Sequence, residues 1–556
     1  MTKASLPWDH DVDLVIVGSG AGAVTAALRA KKWGKTALIV EKAEFFGGST
    51  ALSGGVTWIP NAAPLLRAGV DDSIEKGRAY LDACAGPYAP GTTRERREAY
   101  LGKGPEMISF LESEGMEFAY LDGFSDYHEG EYPGGLARGR SLGGKLFALN
   151  RLGDWLPKMR RASGIQEIPA TVPEIGQLVL SGRTWKSRIT FVKVGWRMIQ
   201  RKLGRLLVAA GASLQGRLFL LAKNAGVEIW LGAPLTDLIR ENGRVVGVVV
   251  RQNGRDRRVR ARHGVLLDAG GFARNPEMRA NMSRVPHSQW TVANEGDTGE
   301  VLKMATDLGA DTAMTQEAWW IPASFLPDGS IQWHNPIDMG KPHAIVVDQG
   351  GSRYVNESTS YVTVGLAMFE RDKTVPAVPS WFIVESRHRD RYRMGIAPAG
   401  KTPEDWITSG YMKRADTIED LARQCDIPPE QLRATVDRFN GFAEAGHDAD
   451  FGKGESAYNR VWGDPTNRPN PSLGKIEIGP FYAVKVFPAD VGTCGGLVAD
   501  EHARVLDKDG RPIPGLYAAG NITASVMGPS YPGAGASIGA SMVFSYIAAD
   551  HALQAS

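Results

Sequence analysis

The stretch DLVIVGSGAGA, residues 13–23, decides the fold. Its first five residues form a short, continuous apolar run, which is typical of a strand buried in a parallel sheet. The motif G-x-G-x-x-A follows at once, from Gly18 to Ala23. We predict a helix over 23–32 and a second strand over 37–40 that ends at Glu41. Strand, glycine turn, helix and strand in this order predict a βαβ unit.

Each residue of the motif has a physical task in binding a dinucleotide. Gly18 permits the tight turn, Gly20 lets the backbone approach a pyrophosphate, and Ala23 keeps the helix close to the strand. The N-terminus of the helix stabilises the phosphate charge. Glu41 lies about 20 residues on, where a carboxylate accepts hydrogen bonds from ribose hydroxyls. An acid at this position also disfavours the 2′-phosphate of NADP.

The composition excludes several classes of protein. The 556 residues carry 64 basic and 62 acidic side chains, a net charge of +2, which does not indicate a nucleic-acid partner for the whole protein. The three cysteines show no metal-binding or disulfide spacing, which suits a reducing cytosol. We expect neither a secretory signal at residues 1–7 nor a membrane-spanning segment, and therefore a cytoplasmic location.

Three further segments resemble those that enclose FAD in the fumarate reductase and succinate dehydrogenase flavoprotein superfamily. They are FGGSTALSGG at 46–55, VLLDAGGF at 265–272 and GLYAAGN at 515–521. Covalent members carry a His in the first of these loops, whereas this loop has Ser49 and Thr50, so the resemblance implies non-covalent FAD. The residues predicted to hold it are Gly18, Gly20, Ala21, Gly22, Ala23, Glu41, Lys42, Gly48, Ser49, Thr50, Ser53, Gly54, Gly55, Gly270, Gly271, Gly520, Asn521, Ser537 and Ile538.

The same resemblance implies an α/β fold with a discontinuous Rossmann-type FAD-binding domain. We expect its N-terminal part over 1–317, including a basic insert at about 153–205, and its C-terminal part over 490–556. An inserted α+β catalytic (capping) domain should occupy 318–489. Such an insertion makes a cleft between domains, where small-molecule sites usually lie.

The segment 527–539, MGPSYPGAGASIG, indicates the class of substrate. It contains no Arg, His or Lys, so a dianionic substrate would find no partner there. A Tyr hydroxyl and glycine N–H groups are instead suited to a neutral carbonyl that develops negative charge. Its Y-P-G-x-G motif closely resembles that of the 3-ketosteroid Δ1-dehydrogenases. Trp319-Trp320 and GTCGGL at 492–497 also match that family.

The resemblance to this family implies four catalytic residues. They are Tyr531, Gly535, Tyr361 and Tyr127. Tyr531 and the Gly535 N–H would polarise the 3-keto group, Tyr361 would remove a proton from carbon 2, and a hydride would leave carbon 1 for the flavin. A tyrosine has an ordinary pKa near 10, so Tyr361 as a base needs its phenolate favoured, and a hydrogen bond from Tyr127 would do this.

Two of these assignments have competing residues nearby in the sequence. Tyr354 lies close to Tyr361, and Tyr120 and Tyr132 flank Tyr127. Trp319 and Trp320 either line the substrate pocket or seal the seam between domains.

Residues 175–227 contain no acidic residue. Between 183 and 205 they carry eight basic side chains interleaved with Trp and aliphatic residues, a pattern typical of a membrane-surface segment. We predict peripheral attachment to the cytoplasmic face of the inner membrane through residues 180–205. The alternatives are a solvated basic surface and a contact with another subunit.

The sequence therefore predicts an FAD-dependent 3-oxosteroid 1-dehydrogenase of steroid degradation, with an artificial or quinone-type electron acceptor. One alternative is a related flavoenzyme acting elsewhere, such as a 3-ketosteroid Δ4-(5α)-dehydrogenase or a reductase of a neutral enone. Another is a catalytically silent flavin-binding or membrane-scaffolding protein.

Overall fold

The computed structural model describes residues 7–161, 168–282, 284–285, 289–334 and 336–554. Residues 1–6, on which most of the prediction about a signal rests, and residues 162–167 of the predicted basic insert lie outside the described residues. The strands are β1 His10–Val17, β2 Ala37–Val40, β3 Val56–Trp58, β4 Phe118–Tyr120, β5 Ser141–Gly144, β6 Phe147–Ala148, β7 Leu207–Val208, β8 Glu228–Trp230, β9 Leu235–Glu241, β10 Arg244–Gln252, β11 Arg255–Leu267, β12 Thr312–Ala313, β13 Ala318–Phe325, β14 Ile331–Trp333, β15 Ala344–Val347, β16 Ser380–Glu385, β17 Met412–Ala415, β18 Phe481–Thr493, β19 Gly496–Leu497, β20 Arg504–Leu506 and β21 Pro512–Ala518.

The α-helices alternate with these strands in both parts of the chain. They are α1 Ala21–Lys32, α2 Gly48–Leu52, α3 Ala63–Arg67, α4 Ile74–Ala85, α5 Arg94–Ser113, α6 Val172–Leu178, α7 Trp185–Lys202, α8 Ala210–Asn224, α9 Pro276–Ala280, α10 Glu300–Asp307, α11 Pro336–Met339, α12 Tyr361–Asp372, α13 Ser386–Arg391, α14 Glu404–Thr408, α15 Ile418–Gln424, α16 Pro429–Ala445, α17 Ala457–Trp462 and α18 Ala536–Gln554. Within the described ranges, no helix combines the length and the apolar character needed to cross a membrane.

The larger sheet has eight strands in the order β20-β21-β11-β1-β2-β8, with β10 pairing with β11 and β9 with β10. Strand β1 runs parallel to both β2 and β11, and β11 runs parallel to β21. The predicted first strand is three residues longer at its start, because His10, Asp11 and Val12 pair with β11. The chain thus returns at 512–518 to complete the sheet that it began at 10–17, as a discontinuous Rossmann-type domain requires.

The second large sheet lies between these two parts in the sequence. It has six antiparallel strands in the order β14-β13-β18-β16-β15, with β17 pairing with β18. With the helices α11–α17 around it, this sheet gives the α+β part of the predicted fold class. Strand β18 runs to Thr493, past the predicted boundary at 489, because Ala318 of β13 pairs with Thr493. The domain boundaries themselves stay a prediction.

The last helix, α18, packs against the first helix, α1. A Cβ at Gly22 of α1 would lie 2.2 Å from the Ser541 Oγ, so the glycine is what permits the close approach. At the outer end of the pair, Arg29 Nη2 donates to Asp550 Oδ2 at 3.2 Å. The two ends of the chain therefore complete a single core.

Candidate active site

Glycines from two separate segments lie against Asp268, which follows the end of β11. A Cβ at Gly18 would lie 2.2 Å from the Asp268 carbonyl oxygen, and one at Gly520 would lie 2.4 Å from its Oδ1. The Asp268 Oδ2 accepts a hydrogen bond of 2.7 Å from the Ala23 N–H. Burial raises the pKa of this carboxyl to about 7. No role for Asp268 could be predicted from the sequence, because the approach of the two glycine segments to it is visible only in three dimensions.

The start of α1 fits the pyrophosphate of a dinucleotide. Its N-cap, Gly20, makes no side-chain cap, and its first turn contains no acidic residue. Two of its N–H groups have partners within the protein, since Ala21 donates to Thr50 Oγ1 at 3.2 Å and Ala23 donates to Asp268 Oδ2 at 2.7 Å. Glu41 stands at the end of β2, where its carboxylate accepts from Ser19 Oγ at 2.6 Å. A helix N-terminus beside a nearly buried carboxylate is the kind of donor and acceptor set that phosphate and ribose require.

Several other predicted cofactor residues are also needed for packing. A Cβ at Gly55 would lie 2.2 Å from the carbonyl carbon of Ala210, and one at Gly271 would lie 2.2 Å from Thr493 Oγ1. The Lys42 ammonium is held within the protein, since it donates to Thr298 Oγ1 at 2.7 Å and pairs with a glutamate. The remaining predicted cofactor residues lie near the same elements. Gly22 belongs to α1, Gly48 and Ser49 belong to α2, and Ser53 and Gly54 follow α2. Gly270 follows β11, Asn521 follows β21, and Ser537 and Ile538 belong to α18.

Tyr127, Tyr361 and Tyr531 meet in one buried group, here named the phenol cluster. Every pair of these rings has its centroids 5.9 Å apart. Trp319 packs edge-on against Tyr531 at 5.0 Å. Trp320 instead packs against Phe369 in the core. Trp319 thus borders the cluster, and Trp320 packs between β13 and α12. Whether they line a substrate pocket or seal the seam between domains stays a prediction.

The competing tyrosines lie elsewhere. The Tyr354 hydroxyl forms a hydrogen bond of 2.7 Å with Ser380 Oγ in a different core. Tyr120 donates to the Arg138 carbonyl oxygen at 2.6 Å, on the surface. Tyr132 is exposed and packs on His128.

A carbonyl oxygen holds two of the cluster's loops together. Pro532, next to Tyr531, accepts from the Tyr127 N–H at 3.0 Å and from the Tyr80 hydroxyl at 2.7 Å. A buried ion network fixes the other side of the Tyr127 loop: Arg140 binds Asp72 through two hydrogen bonds, of 2.8 and 3.0 Å, and also pairs with Asp126, the residue before Tyr127.

Gly535 lies where the chain turns from the Tyr531 loop into α18. Its φ of +92° is in the left-handed region, and a Cβ there would lie 2.2 Å from the Val56 carbonyl oxygen. Any side chain would therefore collide with β3. The Gly535 backbone N–H lowers the pKa of the Tyr531 hydroxyl, and this hydroxyl also forms a hydrogen bond of 3.0 Å with Ser537 Oγ. The two predicted carbonyl-polarising groups thus lie together.

Burial decides the protonation of the cluster. Burial raises the pKa of Tyr361 well above its usual value, and Tyr127 and Tyr531 act in the same direction. Burial also raises the pKa of Tyr127 and, less strongly because Ser537 opposes it, that of Tyr531. All three phenols are therefore neutral at pH 7 in the protein described. That a hydrogen bond from Tyr127 favours the Tyr361 phenolate stays a prediction.

The sequence analysis missed two aromatic residues that border the cluster, Tyr458 and Trp462 of α17. The Tyr458 ring is 4.7 Å from that of Tyr127, and Trp462 packs edge-on against Phe124 at 5.4 Å. Both are buried. No motif contains them, and their one signal in the sequence is a spacing of four residues, which places both on one face of a helix.

A dinucleotide-binding sheet joined to a second sheet by a buried phenol site defines a flavin-dependent oxidoreductase. The model of a family described as FAD binding domain matches residues 13–538, so the chain belongs to the FAD-binding flavoproteins. It is 40% identical over 556 residues, 97% of this chain and 97% of the relative, to the 3-oxosteroid 1-dehydrogenase of Mycolicibacterium smegmatis. Within the flavoproteins it therefore belongs to the 3-oxosteroid 1-dehydrogenase family.

A solved structure is similar over the same span. The 3-ketosteroid Δ1-dehydrogenase of Sterolibacterium denitrificans, in complex with 1,4-androstadiene-3,17-dione, matches with a TM-score of 0.90 and 33% identity, covering 98% of this chain and 100% of that one. The 4-oxocyclohexanecarboxylate 2-dehydrogenase of Sinomonas cyclohexanicum is 35% identical over 96% of this chain and 92% of its own. Related proteins thus act on cyclic ketones of different size and charge.

Proposed function

We propose that the protein uses FAD to introduce a double bond between carbons 1 and 2 of ring A of a 3-ketosteroid. The observation that supports this most is the meeting of Tyr127, Tyr361 and Tyr531, from three distant segments, in one buried cluster beside Trp319. In a site of this kind a neutral ketone loses no charge solvation on entering, whereas a carboxylate does.

The chain's own residues would move one proton and stabilise one oxygen. The Tyr531 hydroxyl and the Gly535 N–H donate to the 3-keto oxygen, which becomes enolate-like as carbon 2 loses its proton. Tyr361 takes that proton as a phenolate and becomes neutral. Because Tyr361 is a neutral phenol at pH 7 in the protein described, it must first lose its own proton, and the rate should rise with pH as the phenolate becomes available. Bound FAD supplies the acceptor for the hydride that leaves carbon 1. The two electrons of the broken C–H bond at carbon 2 form the new double bond.

We propose further that FAD is bound without a covalent link. The loop at 46–55 contains Ser49 and Thr50 but no His, and Glu41 and the α1 N-terminus supply non-covalent partners. Denaturation and precipitation should therefore release all the flavin into the supernatant. Flavin fluorescence that stays with the precipitated protein would contradict this.

An anaerobic titration tests the reaction. Androst-4-ene-3,17-dione added to the flavin-loaded protein without oxygen should bleach the flavin, and the product should have the ultraviolet spectrum of a cross-conjugated 1,4-dien-3-one. Bleaching by its 5α-reduced analogue to give a 4-en-3-one, without bleaching by androst-4-ene-3,17-dione, would favour the Δ4-(5α) alternative. Absence of bleaching by this steroid and by its 5α-reduced analogue would favour the silent flavoprotein.

The compound 4-oxocyclohexanecarboxylate, an anionic ring ketone after which one relative is named, gives a second test of the substrate class. Burial and the two other phenols of the cluster raise the pKa of Tyr361, and no cationic side chain is among the described causes. We therefore expect 4-oxocyclohexanecarboxylate to bleach the flavin at least about 100-fold more slowly than the steroid, since an unpaired carboxylate in a dry site costs several kcal/mol. Equal rates would indicate a cationic partner elsewhere in the cleft.

We also propose that the protein docks on an anionic membrane surface through α7. Six exposed apolar side chains of this segment follow one another at spacings of four and three residues and form a single stripe, named here the α7 stripe: Trp185, Ile189, Val192, Trp196, Ile199 and Leu203. A stripe of this kind flanked by basic residues is typical of a helix lying in the interface plane.

The basic residues around the stripe do not contribute equally. Arg183 pairs with Asp464 at 2.8 Å, and Arg197 pairs with both oxygens of Glu174. Lys193, in contrast, is exposed beside Val192. Each free cation near an anionic surface contributes about 1 kcal/mol. Charge complementarity therefore favours anionic lipid over a second copy of this equally basic stripe. A quinone-type electron acceptor stays a prediction.

A further inference from the structure

We propose that Ser141 is a positioning residue for the oxyanion site, because its hydroxyl fixes the peptide group that carries the Gly535 N–H. The inference rests on the proposed role of that N–H as a donor to the 3-keto oxygen, and it adds the side chain on which the direction of this donor depends. Ser141 belongs to β5, and it lies in none of the segments that carry the family resemblance.

The first observation is a buried hydrogen bond between β5 and the loop that precedes α18. Ser141 Oγ donates to the Ala534 carbonyl oxygen at 3.0 Å, and Ser141 is only 1% exposed. A hydroxyl has one proton, so this bond uses the whole donor capacity of the side chain. The Ala534 carbonyl and the Gly535 N–H belong to the same planar trans peptide group and point in opposite directions across it. Fixing the carbonyl therefore fixes the direction of the N–H.

The second observation is that the peptide group on the other side of Gly535 is held as well. The Gly535 carbonyl oxygen accepts from the Trp58 N–H at 3.2 Å and from the Gly539 N–H at 2.8 Å. Trp58 of β3 and Ser141 of β5 are direct partners in the antiparallel pairing of these strands. Two neighbouring strands thus bind the peptide groups before and after Gly535, and between them they fix the conformation of this residue.

The third observation is the place of the fixed N–H. It lies by the Tyr531 hydroxyl, because it lowers the pKa of that phenol. Among the described residues, the Gly535 N–H makes no backbone hydrogen bond. A carbonyl that accepts a hydrogen bond also makes the N–H of its own peptide group a stronger donor, since hydrogen bonds in a chain polarise one another. Ser141 thus both directs and strengthens the donor beside Tyr531.

The strand that carries Ser141 is itself bonded to the loop of Tyr127. Arg140, the residue before Ser141, pairs with Asp126, and the Trp58 indole N–H donates to the same carboxylate at 2.8 Å. Trp58, Arg140 and Asp126 are fully buried. Asp126 directly precedes Tyr127. The β3–β5 pair is therefore bonded to two of the loops that form the phenol cluster, and Ser141 acts from a fixed strand.

A series of substitutions separates the hydroxyl of Ser141 from its volume. Ser141→Ala removes the donor, Ser141→Cys offers a weak donor of similar size, and Ser141→Thr keeps a hydroxyl. Ser380→Ala is the matched control. Ser380 is equally buried, and its Oγ donates to the Ala377 carbonyl oxygen at 2.6 Å, at the start of β16 and outside the phenol cluster.

The first experiment follows flavin reduction by androst-4-ene-3,17-dione anaerobically at several steroid concentrations. We expect the limiting rate of Ser141→Ala to fall roughly 3- to 10-fold, the effect of one hydrogen bond. The half-saturating concentration should change less than about twofold, because the donor matters most when the oxygen becomes negatively charged. Ser141→Cys should lie between the two, Ser141→Thr should recover most of the rate, and Ser380→Ala should match the parent.

A second readout does not need the steroid to be oxidised. Equilenin is a steroid with an aromatic ring A and a hydroxyl at carbon 3, so its anion carries negative charge where the enolate oxygen would form. The ionisation of bound equilenin is followed against pH by difference absorbance in the flavin-loaded protein. We expect Ser141→Ala to shift this ionisation up by roughly 0.5–1 pH unit, since a weaker donor stabilises the anion less. Ser380→Ala should leave it unchanged.

The two readouts together decide the proposal. A parental limiting rate in Ser141→Ala, or an unchanged ionisation of bound equilenin in that variant, would overturn it. If the parent fails to oxidise the steroid while the ionisation of equilenin shifts, the proposed function fails and Ser141 keeps its role toward the bound oxygen. Flavin content reports whether each variant has folded, and Ser141→Cys supplies both comparisons if Ser141→Ala does not hold flavin.

Discussion

The phenol cluster and the α7 stripe are both rich in aromatic side chains, yet they differ in exposure. Tyr127 and Tyr531 are each 6% exposed, whereas Trp185 is 77% and Trp196 58% exposed. In the cluster, backbone groups and neighbouring rings fix every phenol, so hydroxyl groups can act on one another in a dry site. On α7 the Arg188 guanidinium lies over the Trp185 ring at 5.2 Å, but the rings stay largely exposed, so their apolar area is available for another surface. Enclosure, more than residue type, separates the region suited to chemistry from the region suited to docking.

The largest effect should come from the cluster. We expect Tyr361→Phe to abolish flavin reduction by steroid, with a loss of roughly 10²–10⁴ or more, because the proton acceptor is removed. Anaerobic stopped-flow absorbance measures this, and reoxidation of chemically reduced flavin should be unchanged. Tyr354→Phe is the matched control. An active Tyr361→Phe beside an inactive Tyr354→Phe would move the base to the other core.

Tyr531→Phe should have the next largest effect. It removes one donor from the developing oxyanion, which typically costs about 2.7–4 kcal/mol of barrier, so turnover should fall by roughly 100-fold or more. FAD should stay bound, since the Tyr531 hydroxyl is bonded to Ser537 and not needed for the fold of the phosphate loop. A near-parental turnover number would remove Tyr531 from the mechanism.

Substitutions on α7 should have the opposite effect: they should weaken binding to membranes and leave steroid turnover unchanged. Replacing Trp185, Phe191 and Trp196 by Ser removes exposed apolar area, so co-sedimentation with vesicles containing anionic lipid should fall by at least about 10-fold. Turnover of detergent-dispersed steroid should not change. High salt alone should release only part of the parent enzyme, because apolar burial is not screened. A parent that never sediments with vesicles, but changes oligomeric state in the variant, would identify a subunit contact.

The smallest predicted effect distinguishes two basic residues of α7, Lys193 and Arg197. Lys193→Gln should weaken vesicle binding by about 1 kcal/mol, roughly fivefold. Arg197→Gln should weaken it less, because Arg197 already pairs with Glu174, and should instead lower the free energy of unfolding by up to about 1 kcal/mol. Vesicle titration and urea unfolding measure the two quantities. Equal losses of vesicle binding would mean that the Arg197–Glu174 pair opens at the membrane.

The sequence predicted the elements whose signals are local. The apolar run before Gly18 and the alternation after it were enough to place β1, α1 and β2, and the absence of acids over 175–227 marked the segment that we propose for docking. It could not show that Asp268 lies between the glycines of residues 18–22 and Gly520, since these are far apart along the chain. For the same reason Tyr458 stayed invisible: its contact with Tyr127 spans more than 300 residues. The ion pair between Arg197 and Glu174 likewise could not be predicted from the sequence and is visible only in three dimensions.

The packing of α18 on α1 has a consequence for how the protein is made. The apolar face of α1 is complete once residue 32 leaves the ribosome, but its partner begins only at residue 536. At about 5–20 residues per second, roughly 25–100 s of synthesis separates the two. During that time α1, whose Ala23, Val24 and Ala27 are fully buried in the finished protein, lacks the helix that covers it in the complete fold. Nascent chains stalled before residue 536 should therefore bind chaperones far more strongly than full-length ones.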